Sequence, residues 1–398
     1  MITSDFYEES HRLSTVPVSG IRKVSNEARR LAGEGHPVIS FSTGEPDFDT
    51  PSPIAEATIT ALREGYTHYA NNWGELQLRT EIARKLQEGS GVSYDPAADI
   101  VITCGGAEGI ADVIECLVNP GDEVILLNPA FLNYEALVRK CGGIPSAINL
   151  SPDNHYAFTP KDVEDRVTSK TKLIVLNNPN NPTGSVYPRS VLEGLADIAI
   201  RHHLWVLSDE MYSDLVYGDT PFCSMASFPG MKERTLLVSG FSKTYAMTGW
   251  RLGYIAGPSD FMPTIVKNHH YLTACIATFI QIGVARAMNL PETKDAVRRM
   301  VAAFKKRHDL VCDLLDEIPS LSYVRPDGAF YVMIDVSKTG LTGQAFSDRL
   351  LHETYTAVVP GTCFGAAYTH SVRLSFATSD DNIREGLARM KAFISRLS

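Results

Sequence analysis

Hydrophobic and polar residues are grouped in blocks along this chain. From residue 99 onward, short and nearly continuous apolar runs end in turn residues, and amphipathic stretches of helical length separate them. Runs rich in Val, Ile and Leu are typical of parallel strands that helices cover on both faces of the sheet. These runs occupy 99–104, 122–128, 172–177, 204–210, 235–239 and 252–257. The pattern predicts an α/β fold with a large domain built on a mostly parallel central sheet.

The two ends of the chain have different patterns. At 19–33, apolar residues from Ile21 to Leu31 fall on one stripe, which predicts a helix that ends at a glycine. Beyond about residue 290, helical and strand-like segments mix, as at 328–336, 357–365 and 371–377, and predict a smaller α+β domain. The expected division is an N-terminal segment, 1–49, that joins the small domain, a large domain, 50–290, and a small C-terminal domain, 291–398.

Composition narrows the possible partners. The formal net charge of −9 argues against a nucleic-acid surface, because binding phosphate backbones needs a basic field. No segment approaches the ~18 consecutive apolar residues of a membrane span. The first ten residues are polar and acidic, so we expect no export signal. The 7 cysteines form no CxxC or Cys/His cluster, which favours a reducing cytoplasm and predicts no metal site.

Residues with chemical potential follow several of the predicted strands. Ligands of open α/β sheets bind at the carboxyl ends of the strands. The glycine-rich segment 105–109 follows the first run, "NNPNNPTG" (177–184) follows the third, Asp209 ends the fourth, and Lys243 follows the fifth. These groups should therefore collect at one edge of one sheet.

The glycines at 105–109 have the wrong spacing for a dinucleotide fingerprint or a nucleoside-triphosphate loop. Such a strand-to-helix turn can still hold a single phosphate on free N–H groups, and Arg251 would add a forked cation. A phosphate anchor, an amine and a carboxylate on neighbouring strands suggest a pyridoxal phosphate site. That cofactor needs a lysine for its aldehyde and a carboxylate for its ring nitrogen.

Several separate motifs carry a family resemblance. They are "GEPDFDTP" (44–51), "NNPNNPTG" (177–184), "SDEMYSDLVY" (208–217), "FSKTYAMTGWRLGY" (241–254) and "VRLSFA" (372–377). From about residue 35 to its end, the chain resembles the fold-type I pyridoxal phosphate enzymes, specifically class I/II aminotransferases of the aspartate aminotransferase type. The resemblance implies transfer of the amino group of an L-amino acid to a 2-oxo acid by a ping-pong mechanism.

The resemblance also implies roles for individual residues. Lys243 would hold the cofactor as an internal aldimine and then act as the general acid/base at the substrate Cα. Asp209 would pair with the ring nitrogen, and Asn181 and Tyr212 would hydrogen-bond the phenolic oxygen. Arg373 would bind the substrate α-carboxylate, assisted by Asn181 and by the backbone N–H of Gly44.

The remaining expected contacts to the cofactor follow from the same resemblance. Phe131 would stack on the ring, while Gly106, Ala107, Arg251 and Ser242 would hold the phosphate. Tyr69 matches the tyrosine that reaches the phosphate of the neighbouring subunit in this family, which implies a homodimer with a shared active site.

Each assignment has a structural alternative. The alternatives are a solvated Lys243, Asp209 as a helix cap, Asn181 as a turn residue, Phe131 and Tyr212 as core residues, Tyr69 as a surface residue and Arg373 as an edge residue.

The pocket residues Asn71, Asn72 and Trp73 are further candidates for contact with the substrate side chain.

Three positions depart from the family pattern. Gly240 replaces a common phosphate-binding serine, and Phe131 replaces a tryptophan found in some relatives. Glu108 either caps the helix after residue 104 or points toward the substrate, where it would favour a basic amino acid.

Two other activities stay open at this point. The cofactor-binding motifs do not distinguish an aminotransferase from a C–S β-lyase, because the reaction depends on how the substrate is oriented on the ring. A pyridoxal-sensing regulator would carry a DNA-binding segment ahead of this fold. Because the resemblance begins near residue 35 and the charge is acidic, we rank that possibility lowest.

Overall fold

The apolar runs of the sequence form the strands of a central sheet. A computed structural model describes residues 9–16 and 18–397. Its strands are β1 (Ile39–Ser40), β2 (Ile100–Thr103), β3 (Glu123–Asn128), β4 (Ile144–Asn149), β5 (Thr171–Asn177), β6 (Trp205–Asp209), β7 (Thr235–Gly240), β8 (Gly253–Ala256), β9 (Ser322–Tyr323), β10 (Tyr331–Asp335), β11 (Thr356–Ala357), β12 (Val359–Pro360) and β13 (Ser371–Ser375).

Helices precede, separate and follow these strands. They are α1 (His11–Ser14), α2 (Gly20–Gly33), α3 (Ser52–Arg63), α4 (Leu76–Ser90), α5 (Gly105–Leu117), α6 (Asn133–Lys140), α7 (Pro160–Glu164), α8 (Arg189–Arg201), α9 (Met262–Thr273), α10 (Thr278–Ala287), α11 (Pro291–Asp316), α12 (Gly343–Thr354) and α13 (Asp380–Ser395). None of the helices in the described residues is both long and apolar enough to cross a membrane.

The central sheet has seven strands in the order β2-β8-β7-β6-β5-β3-β4. Strand β8 runs antiparallel to β2 and β7, and the other neighbours are parallel. The predicted α/β fold with a mostly parallel sheet is confirmed. The apolar pattern missed β4, because this edge strand, "IPSAIN", is mostly half-buried and so carries Pro, Ser and Asn.

Helices cover both faces of this sheet. Along β3, Val124 and Leu126 pack in the cluster that includes Ile114 of α5, while Ile125 and Leu127 pack with α8 on the opposite face. This alternation explains the continuous apolar run, since both faces of the strand are buried. Truncating the fully buried Ile114 to Ala would cost about 2–5 kcal/mol.

The small domain is built around an antiparallel sheet with the order β12-β13-β10-β9. Helices α11, α12 and α13 contribute Phe304, Phe346 and Phe393 to its core. Ile39 and Phe41 of the N-terminal segment belong to the same cluster, and β1 pairs with β11. These contacts agree with the expected joining of 1–49 to the small domain, although residues 1–8 and 17 lie outside the described residues. The exact domain division stays a prediction.

The helix predicted at 19–33 is α2. Ser19 is its N-cap and accepts a hydrogen bond from the N–H of Arg22 at 3.3 Å. Its apolar stripe, which includes Val24 and Leu31, packs against Leu351 and Ala357 of the small domain. This packing brings the start of α2 to the cavity described next.

Candidate active site

The carboxyl ends of the parallel strands open into a cavity of about 290 Å³ between the two domains. It is lined by Ile21, Gly44, Gly106, Ala107, Ile110, Phe131, Tyr134, Asn177, Asn181, Asp209, Met211, Tyr212, Ser242, Lys243, Arg251, Tyr331 and Arg373. With the exception of Tyr69, every residue expected to bind the cofactor or the substrate lines this cavity. The strand register brings two residues of the cavity lining together, since Asn177 at the end of β5 pairs with Asp209 at the end of β6.

Asp209 is a buried carboxylate held by two donors. Tyr134 donates from Oη to Oδ2 at 2.6 Å, and the N–H of Met211 donates to Oδ1 at 3.1 Å. Burial raises the pKa of Asp209, while the hydrogen bonds and the nearby Lys243 act in the opposite direction. Because a carboxylate in such a position interacts strongly with any cation, Asp209 is well suited to a protonated ring nitrogen.

Lys243 lies at the centre of the cavity rather than in solvent. Its Nζ donates to the carbonyl oxygen of Gly44 at 2.6 Å. Burial lowers the pKa of Lys243 to about 8; Arg373 and Arg251 also lower it, and Glu45 and Asp209 oppose them. A much larger fraction of this amine is therefore neutral near pH 8 than of an ordinary lysine.

Arg373 is fully enclosed on the side of the small domain. It is 2% exposed, and its guanidinium carbon lies 4.5 Å from the ring centre of Tyr331 and 4.9 Å from that of Phe364. Nη1 donates to Asn181 Oδ1 at 3.0 Å, and Nη2 donates to the carbonyl oxygen of Ser42 at 2.9 Å. Its Nε has no hydrogen-bond partner among the described residues. A buried guanidinium with a free N–H is a strong site for a carboxylate.

Asn181 connects the two sides of the cavity. Its backbone N–H donates to Asn177 Oδ1 at 2.8 Å, and its Nδ2 lies 3.5 Å from Tyr212 Oη. Tyr212 Oη lies 3.0 Å from Tyr331 Oη. Asn181 and Tyr212 therefore present donors next to each other at the end of the sheet.

The far end of the cavity is formed by the first turn of α5 and by Arg251. A Cβ at Gly105 would lie 2.6 Å from Arg251 Nη2, and a Cβ at Gly253 would lie 2.5 Å from the carbonyl carbon of Gly105. Arg251 donates to the carbonyl oxygens of Thr248 at 3.0 Å and Cys104 at 3.3 Å. The glycines thus let backbone and guanidinium approach closely at a helix N-terminus, where an anion is stabilised.

Comparison with known proteins agrees with this geometry. Residues 36–390 match the family model described as aminotransferase class I and II. The chain belongs to this family.

Individual relatives span nearly the whole chain. A putative aminotransferase of Bacillus subtilis, YugH, is 40% identical over 97% of this chain and 98% of that protein. An aspartate aminotransferase of Pyrococcus abyssi is 40% identical over 96% of this chain and 97% of that protein. The structure of an aspartate aminotransferase from Thermus thermophilus with maleate has a TM-score of 0.92 at 36% identity, covering 97% of this chain and 99% of that chain.

This protein is a pyridoxal phosphate-dependent aminotransferase of fold type I. The described residues fit the cofactor. Because a Cβ at Gly105 would collide with the guanidinium of Arg251, this glycine lets the cation lie against the start of α5, and Asp209 and Lys243 lie further along the same cavity. Phe131 lines the cavity and meets Tyr134 edge to face, with 5.9 Å between the ring centres, so one face of its ring can receive a planar ligand.

Two departures from the family pattern have structural explanations. Glu108 does not line the cavity; it accepts hydrogen bonds from the backbone N–H of Cys104 and from Thr273 Oγ1, and it pairs with His269. The aminotransferase therefore uses Glu108 to cap α5, which removes the reason to expect a basic substrate. At Gly240, a Cβ would lie 3.0 Å from the Cα of Gly253, so a larger residue would press on the neighbouring strand.

Four residues suggested by the sequence lie outside the cavity lining. Tyr69 is 90% exposed, and Asn71, Asn72 and Trp73 do not line the cavity of this single chain either. Tyr69 lines a separate surface hollow with Cys275 and neighbouring residues. The expected contact of Tyr69 requires a second subunit.

Sequence reasoning missed three polar residues of the cavity. Asn177 ends β5 directly and could have been found by the same strand-end rule as Asp209. Tyr134 lies three residues after Phe131, at the start of α6, but its contact with Asp209 has no local signal. Tyr331 lies on β10 beside β13, and nothing in the sequence around it indicates contact with Tyr212.

Proposed function

We propose that this aminotransferase carries out its reaction in the cavity at the end of β5, β6 and β7, with Lys243 as the residue that binds the cofactor covalently. The observation that carries the proposal is the convergence of an amine, a carboxylate and a buried guanidinium, from Lys243, Asp209 and Arg373, on one cavity. These residues come from distant parts of the chain, and together they match the charges of a cofactor ring and a substrate carboxylate.

Pyridoxal phosphate, when bound, supplies an aldehyde for amines and a ring that accepts the electron pair released at the substrate Cα. In our proposal, Asp209 stays ionised and keeps the ring nitrogen protonated. Tyr134 supports that role, because its 2.6 Å hydrogen bond favours the carboxylate form over the acid. Phe131 covers one face of the ring, and Asn181 and Tyr212 donate to the phenolic oxygen.

Lys243 is also the proposed acid and base of the reaction. Its neutral amine would take the proton from the substrate Cα and return it at the cofactor's C4′ carbon. The lowered pKa, about 8, supports this assignment, because a general base works best when its pKa is near the operating pH. The Gly44 carbonyl, which accepts from Nζ at 2.6 Å, limits where the amine can lie.

For the phosphate we propose the first turn of α5, at Gly106 and Ala107, together with Ser242 and Arg251. The close approach of Arg251 to Gly105 supports this assignment. The substrate α-carboxylate would bind the guanidinium of Arg373, with help from Asn181 and the N–H of Gly44, since all three residues line the cavity.

We propose that the preferred amino donors have uncharged side chains. In the described lining of the cavity, the cations are Lys243, Arg251 and Arg373, and each already has a partner in the proposed reaction. Ile21, from α2, adds an apolar wall. Within the part of the site that this chain supplies, a second substrate carboxylate would lose its hydration without gaining a cation of its own.

A homodimer is part of the proposal. Tyr69 and Tyr271 are 90% and 83% exposed, and Leu272 is 51% exposed. A second subunit that covered them would bring Tyr69 toward the partner's phosphate site. Mixing a Tyr69→Phe chain with a Lys243→Ala chain tests this, because one site of the mixed dimer would then carry both changes and the other neither.

We also propose a cytoplasmic location, which the free state of the seven cysteines supports.

Borohydride reduction and peptide mapping of the cofactor-loaded protein test the central assignment. The label is expected on Lys243, and the absorbance near ~420 nm, a property of the bound cofactor, should fall when an L-amino acid is added. Phenylalanine, leucine and methionine should convert it faster than aspartate. A label on another lysine would overturn the assignment. Steady pyruvate release from cystathionine without a 2-oxo acid would instead identify a β-lyase.

A further inference from the structure

Residues 42–50, here called the Gly44 segment, contribute to the cavity without any regular structure. They contain no helix or strand. An irregular segment has no ladder of backbone hydrogen bonds, so its position depends on individual contacts. The position of Gly44 is therefore set by residues that hold this segment from outside.

The large domain holds the Gly44 segment through the region around Lys243. Lys243 Nζ donates to the carbonyl oxygen of Gly44, Thr248 Oγ1 donates to Glu45 Oε2 at 2.9 Å, and Thr50 Oγ1 donates to the carbonyl oxygen of Ala246 at 3.0 Å. The Lys243 contact is lost whenever the amine is engaged elsewhere. A stable position for Gly44 thus needs support from the other side.

On the small-domain side, Arg373 Nη2 holds the start of the segment at the carbonyl oxygen of Ser42, and Arg307 of α11 holds its middle. Nη1 donates to Asp47 Oδ1 at 2.6 Å and Nη2 donates to Asp47 Oδ2 at 3.0 Å, a two-pronged ion pair. Its guanidinium also lies over Phe48, with 5.1 Å to the ring centre, and over Phe304, with 5.7 Å. A forked pair combined with ring stacking fixes direction as well as distance.

This ion pair differs from the others on the same helix. The Arg307 side chain is 10% exposed, whereas its neighbour Lys306, paired with Asp380, is 74% exposed. Exposed pairs of the second kind contribute little to stability. Arg307 is enclosed; its Nε also lies 3.4 Å from Asp380 Oδ1, and its two-pronged partner, Asp47, lies three residues from Gly44.

We propose that Arg307 is a positioning residue for the substrate α-carboxylate, acting through Asp47 on the backbone N–H of Gly44. The inference rests on the proposed role of Gly44 as a carboxylate donor. Arg307 does not line the cavity. Its effect comes from holding Gly44 at the correct distance from Arg373, since small displacements of a binding group reduce its contribution strongly.

The test compares Arg307→Met, Arg307→Lys and the control Lys306→Met in the cofactor-loaded protein. Arg307→Met should raise KM for the amino donor about tenfold, the usual effect of losing one good hydrogen bond to a charged group, while kcat and cofactor affinity change little. The dissociation constant of 3-phenylpropionate, an unreactive monocarboxylate, should rise by the same factor. Arg307→Lys should recover part of the loss, and Lys306→Met should behave as the unchanged protein.

Amide hydrogen exchange gives a readout that needs no turnover. Peptides covering 42–50 should exchange faster in Arg307→Met, with or without cofactor, and at the normal rate in Lys306→Met. Asp47→Asn removes the same ion pair from the other side and serves if Arg307→Met does not fold.

The proposal is overturned if Arg307→Met and Asp47→Asn raise KM no more than Lys306→Met does. It is also overturned if kcat and cofactor affinity fall while KM rises, because that result describes a general loss of structure. If the assignment of Lys243 were wrong, the borohydride experiment would show this separately. The hydrogen-exchange rates of 42–50 and the dissociation constant of 3-phenylpropionate could still be interpreted.

Discussion

The two sides of the cavity are built in different ways. On the large-domain side, Asn177 and Asp209 end adjacent parallel strands, and Lys243 lies three residues beyond the end of β7. On the opposite side, Gly44 belongs to an irregular segment, and Arg373 approaches from an antiparallel sheet of the small domain. The first side takes its geometry from strand register, whereas the second takes it from side-chain contacts between distant segments.

This difference has a functional consequence. On the large-domain side, here called the strand side, Asp209 ends β6, and the other groups of the cavity proposed to bind the cofactor lie within a few residues of a strand of the central sheet. Among the groups proposed to bind the substrate, Arg373 belongs to the small domain and Gly44 to the irregular Gly44 segment. Changes on the strand side should therefore affect chemistry and cofactor binding, and changes on the other side should affect mainly the affinity for substrate.

The largest effect should follow Lys243→Ala, which removes the amine at the centre of the strand side. We expect turnover to fall at least about a thousandfold, because the acid/base group itself is lost. The variant should still fold, since Lys243 makes one side-chain hydrogen bond, to Gly44. Steady-state transamination and thermal unfolding measure the two effects, with Lys161→Ala, an exposed lysine paired with Asp165, as the control. Substantial remaining turnover would contradict the role of Lys243.

Arg373→Lys should have the next largest effect and tests the opposite side. Lysine cannot reproduce the forked donors, so the hydrogen bonds to Asn181 and Ser42 and the pairing with a carboxylate would suffer together. We expect kcat/KM to fall about a hundredfold, mainly through KM. Cofactor affinity should not change. If the dissociation constant of the cofactor rose as much as KM, the proposed separation between the two sides would be wrong. Arg189→Lys, at an exposed pair with Glu193, is the matched control.

Tyr134→Phe should have a smaller effect on the strand side. Loss of the hydrogen bond to Asp209 should destabilise the carboxylate relative to the protonated acid and so raise the pKa of this group. We expect kcat/KM to fall about tenfold, and the acidic limb of its pH profile to move to higher pH. Tyr187→Phe, which changes another buried tyrosine in a different core cluster, should leave that limb in place. An unshifted limb in Tyr134→Phe would exclude the proposed support of Asp209.

The last prediction concerns the reactivity of Lys243 in the cofactor-free protein. Burial lowers its pKa from 10.5 to about 8, so the amine loses its proton as the pH rises through about 8. Its acetylation should therefore become half-maximal near that pH. Lys161 should require a higher pH than an ordinary lysine, because Asp165 raises the pKa of Lys161. Competitive acetylation followed by mass spectrometry compares both lysines in one sample, and similar profiles would contradict the buried environment of Lys243.

Much of the strand side was predictable from the sequence. Apolar runs show where strands end, and parallel strands present those ends at one edge, so the pattern of the chain is enough to predict that Asp209 and Lys243 lie close together. The family motifs then supplied roles for Asn181, Tyr212 and Arg251. The same rule could have added Asn177, which ends β5.

The other contacts depend on proximity between segments that are far apart in the chain. Tyr134 meets Asp209, Tyr331 meets Tyr212, and Arg307 meets Asp47, and no local pattern marks any of these pairs. The sequence offered two orientations for Glu108, and the packing of α9 against α5 decided between them through Thr273 and His269.

By itself, the sequence determined the fold class, the family and the strand-end residues, because periodicity and motifs are local properties of a chain. The tertiary structure alone decided which side chains support those residues and which buried polar groups have no hydrogen-bond partner among the described residues, such as Arg373 Nε. Hydrogen bonds and ion pairs of this kind depend on distances of a few ångströms between distant segments, and only the packing of the folded chain sets those distances.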